Sequence, residues 1–289
     1  MRVLVVYKQS FLEAHRHDLS LVRRMTPPER RRLVRADREN RAAIRDVMRV
    51  LKRAGAKAKA VFRGDLASSP RFDLIVTVGG DGTFFMAAHR AHGTPILAVN
   101  SHPGGSLGLF ATADRPTFPA KLKAALAGRL PALRLNRLTI AVNGQTRPEF
   151  ALNDVLVAHS NPASLSRMTF SVDGGEPERQ RSSGVWISTA AGSTAAIRAA
   201  GGRKMPIASR RLQFLVREPY DWPARLRLRR GYARDAVDIK ILMNESHLWI
   251  DGIRTRVDLK LGDPVRIATG AEPAVVLGFD EGRRDRLFP

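Results

Sequence analysis

The chain has no cysteine in 289 residues. Disulfides, thiolate-bound zinc and thiol nucleophiles are therefore excluded together, and the composition suits a reducing cytoplasm. Long apolar runs are missing too: no segment approaches the ~20 residues a membrane span needs. The opening "MRVLVVYKQS" lacks the apolar region and small-residue cleavage site of a signal peptide, and reads as a first β-strand. Acidic residues are few, 27 against 49 Lys and Arg, giving a net charge of +22. Such a balance admits nucleic acid, phosphorylated metabolites, polyphosphate and acidic membrane surfaces. Much of the arginine also reads as ordinary solvated surface. The excess peaks from Arg198 to Arg234, with eleven basic residues against Glu218 and Asp221. Its aromatics are Phe214, Tyr220, Trp222 and Tyr232, and it matches no nucleic-acid module, so specific nucleic-acid binding is not expected.

What is present is enough to build a core, at 44% hydrophobic. The first ~125 residues alternate strand and helix signals. "RVLVVY", "KAKAVF", "DLIVTV" and "TPILAVN" read as strands. Between the first two, Thr26 and Glu29 form a capping box with prolines at the helix start. Ala43, Val47, Met48 and Leu51 make an apolar stripe at helical spacing, and Gly55 supplies the stop. Alternation of this kind predicts an α/β domain with a parallel sheet. After the helix "PTFPAKLKAALAG" the pattern changes to short strands punctuated by Gly, Asn and Asp. Val172-Asp173-Gly174-Gly175 and Ile250-Asp251-Gly252 read as hairpin turns, "EFALNDVLVAH" reads as one strand with Asn153 and Asp154 in its middle, and a helix is expected near Gly192. The predicted division is an α/β domain over 1–128 and a β-rich domain over 129–289, with the last residues packing back on the first.

The segment "LIVTVGGDGTFF" (Leu74 to Phe85) carries the chemistry. Ligands of open α/β sheets bind beyond the carboxyl ends of the strands. Gly79 and Gly80 stand at such an end, where glycine lets a phosphate approach backbone N–H groups. No Walker Gly-Lys-Ser/Thr follows, and the first strand lacks the Rossmann glycines. Asp81 would repel a phosphate unless the reaction needs a carboxylate to orient and deprotonate a hydroxyl beside a phosphoryl donor. Its bland reading is an aspartate bonding its own turn.

Three further segments accompany the turn: "NSHPGGSLGLF" (Asn100 to Phe110), "ALNDVLVAH" and "SSGVWISTAAGSTAA" (Ser182 to Ala196). A Gly-Gly-Asp-Gly-Thr turn, an Asn-acid pair and a Thr-x-x-Gly-Ser-Thr-Ala segment, in that order over nearly the whole chain, resemble the NAD kinase family. The "NSHP" and "FSVDGGEPERQRSSG" segments are similar to its mitochondrial-type branch and bacterial relatives. The resemblance implies phosphorylation of the adenosine ribose 2′-hydroxyl of NAD, or NADH, with ATP or polyphosphate as donor. It makes Asp81 the general base, with Gly79, Gly80, Gly82 and Thr83 around the donor phosphates. Mg2+ or another divalent cation would arrive with the donor, and no dedicated protein metal site is read. Asn153, Asp154, Arg181, Ser183, Thr189, Gly192, Ser193, Thr194 and Ala195 are implied to bind the dinucleotide. A cytoplasmic homodimer or homotetramer with no membrane partner is the expected form.

The chain departs from the family pattern at Asp154, where glutamate is usual, at Ala190 and Ala191, and at Ala196, where an aromatic commonly ends the third motif. Three other readings stand beside this one. A diacylglycerol- or sphingosine-type lipid kinase shares the glycine turn but would carry Gly-Thr-x-Asn-Asp where this chain has "NSHPGGSLGLF"; a phosphofructokinase-like sugar kinase shares it more loosely. A dinucleotide- or polyanion-binding regulator that has lost activity would explain the departures but has little use for Asp81.

Overall fold

The structure is a computed structural model that describes residues 1–289 except 18–19, 67–71, 223–224, 253–254 and 271. It comprises two compact units, Met1–Arg134 with Ala274–Leu287, and Leu135–Pro273 with Phe288–Pro289.

The first unit is built on one sheet of β1 (Arg2–Tyr7), β2 (Lys57–Phe62), β3 (Leu74–Gly79), β4 (Ile96–Asn100), β5 (Ala113–Asp114), β6 (Ala132–Leu135) and the chain's last strand, β19 (Ala274–Leu277). The order is β2-β1-β3-β4-β19-β6, with β5 beside β4. β1 pairs in parallel with β2 and β3, and β4 in parallel with β3, β5 and β19. β3 and β4 are buried along their whole length, which is why both are unbroken apolar runs. The helix Pro27–Arg53 opens on Glu29, whose carboxylate accepts the Thr26 N–H and hydroxyl, both at 2.7 Å. It ends at Gly55, with φ at 70°. Ala43, Val47 and Leu51 pack in one core with Val5, Val76 and Leu97 from the sheet. Because β3 follows β2 in sequence yet pairs with β1, the connections reverse direction there. The carboxyl ends of β1 and β3 are the point where such sheets hold ligands.

The second unit is a pair of antiparallel sheets. Its strands are β7 (Leu138–Val142), β8 (Gln145–Ala151), β9 (Asp154–His159), β10 (Ser166–Val172), β11 (Glu178–Ser182), β12 (Val185–Ser188), β13 (Leu212–Val216), β14 (Arg230–Ala233), β15 (Ala236–Ile241), β16 (Ser246–Ile250), β17 (Thr255–Leu259) and β18 (Pro264–Thr269). One sheet runs β11-β10-β15-β18-β7-β8 and the other β14-β13-β12-β9-β16-β17. Phe170 of β10 and Phe214 of β13 meet at 5.2 Å between ring centroids, joining the two sheets in one buried core.

Two expectations change. The single strand read through "EFALNDVLVAH" is two: β8 stops at Ala151 and β9 starts at Asp154 in the other sheet. The helix expected near Gly192 is a 3-10 turn, Gly192–Thr194, followed by the four-residue helix Ala196–Ala199. Ala195, at φ −94° and ψ −139°, breaks the two apart. No helix among the described residues is long and apolar enough to cross a membrane.

The chain changes sheets again between β11 and β12, and Gly184 makes that corner at φ 109°. A Cβ there would lie 2.5 Å from the Val157 carbonyl oxygen and 2.7 Å from the Ala158 Cβ. Gly184→Ala therefore combines backbone strain with overpacking, each worth ~1–3 kcal/mol. Chemical denaturation should show a loss of at least ~2 kcal/mol, and a variant as stable as the parent would mean the corner relaxes freely.

Candidate active site

In the first unit β3 ends on Gly79, Gly80 is the N-cap, and the helix Asp81–Ala88 follows directly. Gly79 has no room for a side chain, since a Cβ would sit 2.2 Å from the Thr83 hydroxyl oxygen. The first internal bond of the helix is Thr83 N–H to the Gly80 carbonyl, at 2.9 Å. The Asp81 and Gly82 N–H groups, at a helix start, have no intrahelical acceptor and face the positive end of the dipole outward.

Asp81 does not bond its own turn. Its two oxygens accept the N–H groups of Leu109 and Phe110, each at 2.9 Å and nearly thirty residues away. Each oxygen keeps further lone-pair capacity after one such bond. The loop it grips is pinned from other sides as well. Asn100 Nδ2 donates to the Ser106 carbonyl at 3.1 Å. Arg283 donates to the carbonyls of Leu107 at 2.5 Å, Gly108 at 2.7 Å and Ala111 at 3.1 Å. Phe110 stacks on Phe84 at 4.8 Å, tying the loop to the helix that carries Asp81. Arg283 escaped sequence reasoning because one arginine in "EGRRDRLFP" carries no signal of its own.

The second unit gathers the other two motifs around Asp251. Asp251 is a hairpin residue at φ 48°. Its carboxylate accepts the N–H groups of Leu152 at 2.9 Å, Asn153 at 2.7 Å and Asp154 at 3.1 Å, and its own N–H donates to the Asp154 carbonyl at 2.9 Å. Three amides turned to one carboxylate cannot serve a strand ladder, which is why β8 and β9 are separate. The Asp-Gly signal of this residue was legible as a turn; its grip on residues a hundred positions earlier was not.

The third motif is bolted to the same segment. Thr189 N–H donates to the Asn153 carbonyl at 2.9 Å, and its hydroxyl donates to the Leu152 carbonyl at 2.5 Å while accepting the Gly192 N–H at 3.0 Å. Gly192 packs on the Asn153 backbone so closely that a Cβ would fall 2.0 Å from its carbonyl oxygen. The Ser193 hydroxyl, fully buried, donates to the Ala190 carbonyl at 2.7 Å and accepts the Met205 N–H at 2.9 Å. Thr189 and Ser193 thus shape the site from inside, while Asn153, Thr194 and Ala195 keep partial exposure. Arg181 and Ser183 lie at the β11–β12 corner; their backbone bonds run to Tyr220 and Arg217 rather than to this cluster.

Asp154 is buried, at 4% exposure. Burial, with the Asp251 charge beside it, pushes its pKa up to about 7. Arg137, also fully buried, lies 4.2 Å from the Phe150 ring centroid and feels the charges of Glu272 and Asp251, although burial pulls it down to about 10. The pair is thus asymmetric: Asp251 is charge-assisted by three amides, and Asp154 holds a proton near neutrality. Below pH ~4 both folded and unfolded chains hold that proton. Between pH ~4 and about 7 the unfolded chain releases it first, so Asp154 lowers stability as pH rises, and the loss is complete above about 7. Asp154→Asn should gain on the parent through that window, by on the order of ~1.4 kcal/mol per pKa unit, and then level off. Denaturation of both proteins from pH 4 to pH 8 checks this; a difference independent of pH would rule it out.

Known proteins with this arrangement point one way. The ATP-NAD kinase N-terminal domain profile matches residues 37–130. The fold is shared with a yeast NADH kinase solved with NADH, at TM-score 0.75 and 19% identity over 99% of this chain and 86% of that one. It is shared too with an Archaeoglobus fulgidus NAD kinase solved with ATP, at TM-score 0.71 and 22% identity over 99% and 97%. A probable NADH kinase of Oryza sativa subsp. japonica is 34% identical over 247 residues, covering 77% of this chain and 76% of the rice protein. At that identity and coverage, with all three motifs in order, the chain belongs to the NAD kinase family.

Proposed function

We propose that the protein transfers a phosphoryl group to the adenosine ribose 2′-hydroxyl of NAD or NADH, with ATP or polyphosphate as donor. The observation that carries this reading is the Asp81 carboxylate, fixed by two amides at the carboxyl end of β3 beside the unpaired donors of a helix start. Gly79, Gly80, Gly82 and Thr83 border the donor phosphates, and Asp81 orients the hydroxyl and takes its proton. Asn153, Thr194 and Ala195 offer the reachable polar and backbone groups for the dinucleotide, with the buried Asp154 behind them. Phosphoryl transfer depends mainly on positioning and charge neutralisation. A Mg2+ ion typically takes one or two carboxylates and fills its shell with phosphate oxygens and water. Asp81, with spare lone pairs beside a phosphate-binding turn, fits that donor set. The relatives named NADH kinase favour acceptance of NADH as well as NAD. A cytoplasmic homodimer or homotetramer completes the proposal, the lack of cysteine suiting a reducing compartment.

Asp81→Asn tests the central role. The amide keeps the shape and loses the base, so kcat should fall ~10²–10⁴-fold. It also turns an NH2 toward one of the two amide donors, a mismatch of ~1–3 kcal/mol that should lower the melting temperature without unfolding the protein. A kcat within a few-fold of the parent would reduce Asp81 to a loop clamp.

Ala196 tests the dinucleotide side. It is exposed on the first turn of the Ala196–Ala199 helix, so space for a ring is open. Ala196→Tyr should tighten NAD binding by at most ~1–3 kcal/mol, the range of base–aromatic stacking, less the entropy the ring loses. Titration with NAD is the measurement; unchanged affinity would place the base elsewhere.

A further inference from the structure

The helix Pro27–Arg53 carries a largely polar face beside the core, at whose margin Val50 packs. Glu39, Asp46, Val50 and Arg53 recur at spacings of seven, four and three, which stacks them along one side. Between this face and the segment 100–119 lies a groove of ≈580 Å³, within the size range of small-molecule sites. Its floor is apolar, made by Val50, Pro103, Pro116 and Pro119, and its wall is cationic, made by Arg49, Arg53 and Arg115. Asp46 holds two of those arginines in place, Arg49 at 2.8 Å and Arg115 by a short contact. Arg53 has no ion pair among the described residues. The remaining carboxylate, Glu39, is tied to His102 at 2.5 Å and Arg35 at 2.8 Å.

A second observation points to a ligand. Ser101 lines the groove at 3% exposure, and its hydroxyl has no hydrogen-bond partner among the described residues. A buried hydroxyl left unpaired costs free energy that a ligand's polar atom would recover.

We propose that this groove is a binding site for a small organic anion, an aromatic or alicyclic body seated on the valine and prolines with its acid group toward Arg53 and Arg115. A bare polyphosphate would leave the apolar floor in water, and a neutral hydrophobe would leave the guanidinium groups unused. The site has a route to Asp81. Ser101 N–H donates to the Gly79 carbonyl at 3.1 Å, and the adjoining Asn100 holds Ser106 in the loop that Asp81 grips.

The probe is 8-anilinonaphthalene-1-sulfonate, a fused aromatic with one sulfonate, titrated into the 289-residue chain and followed by its fluorescence. Saturable binding at one site per chain is expected, undisturbed by saturating NAD or ATP. Arg53→Glu, an exposed change that breaks no ion pair, should weaken it ~10-fold or more, as loss of a charged partner does. Val50→Trp should abolish it by filling the floor. Melting temperatures report whether each variant is folded, and if Val50→Trp is not, Arg53→Glu decides alone. Displacement of the probe by NAD or ATP would assign it to the kinase site and overturn the proposal. So would parent-like binding by Arg53→Glu, or no binding by the parent at ~1 mM probe, a level at which even a weak site reveals itself.

Discussion

The second unit depends on one carboxylate. Asp251 takes three consecutive amides from residues 152–154, and with them it decides where one sheet ends and the other begins. Without that acceptor those N–H groups would be stranded inside the unit, each costing ~1–3 kcal/mol. The break it stabilises brings Asn153 to the surface, turns Asp154 inward, and presents the Asn153 backbone to Thr189 and Gly192. Motifs separated by some forty residues become one cluster because a hairpin aspartate is charged. Burial first, and the neighbouring Asp251 charge second, raise the Asp154 acid: ionising it would set a buried charge beside the carboxylate the amides hold.

Clamping amides with a carboxylate is not by itself a mark of function. Asp173, at φ 51° in the other Asp-Gly hairpin, accepts the N–H groups of Arg234, Asp235 and Ala236 at 2.8–3.1 Å. Despite some desolvation, those amides hold its acid below the ordinary carboxylate range. Asp173 is exposed, and the charge that acts on it is that of Arg234 rather than a second acid, so the bonds fasten a turn. What distinguishes Asp251 is the buried acid Asp154 beside it, and what distinguishes Asp81 is the helix start beside it.

The sequence therefore conveyed the parts whose causes are local. Alternating strands and helices, the Thr26–Glu29 cap, both Asp-Gly turns and the glycine turn at the end of β3 follow from neighbours in the chain. The break after Ala151 did not, because its cause is Asp251. "EFALNDVLVAH" keeps a strand's composition throughout, and only the missing ladder reveals two strands. Likewise Thr189 and Ser193 have the composition of ligand donors, yet their hydroxyls are satisfied by two carbonyls and two amides inside the unit. Arg283 is the reverse case, a residue with no pattern around it that fastens the loop opposite Asp81.

The charge imbalance takes a different meaning in this light. Many arginines fasten the fold: Arg283 on three carbonyls, Arg266 across Asp238, Arg227 on the Glu176 carbonyl, Arg229 beside Asp221, Arg211 over Tyr232. The last three lie in the basic stretch that the sequence singled out, and their partners are residues of this chain. A surplus of cations sets a general attraction for anionic ligands, but it cannot place a proton or an amide. With only 27 acidic residues against 49 basic ones, a carboxylate left unpaired by arginine is the rarer object. Asp81 meets two backbone amides instead. An amide donor neutralises less than a guanidinium and leaves lone pairs open, which keeps Asp81 able to accept from a hydroxyl as well.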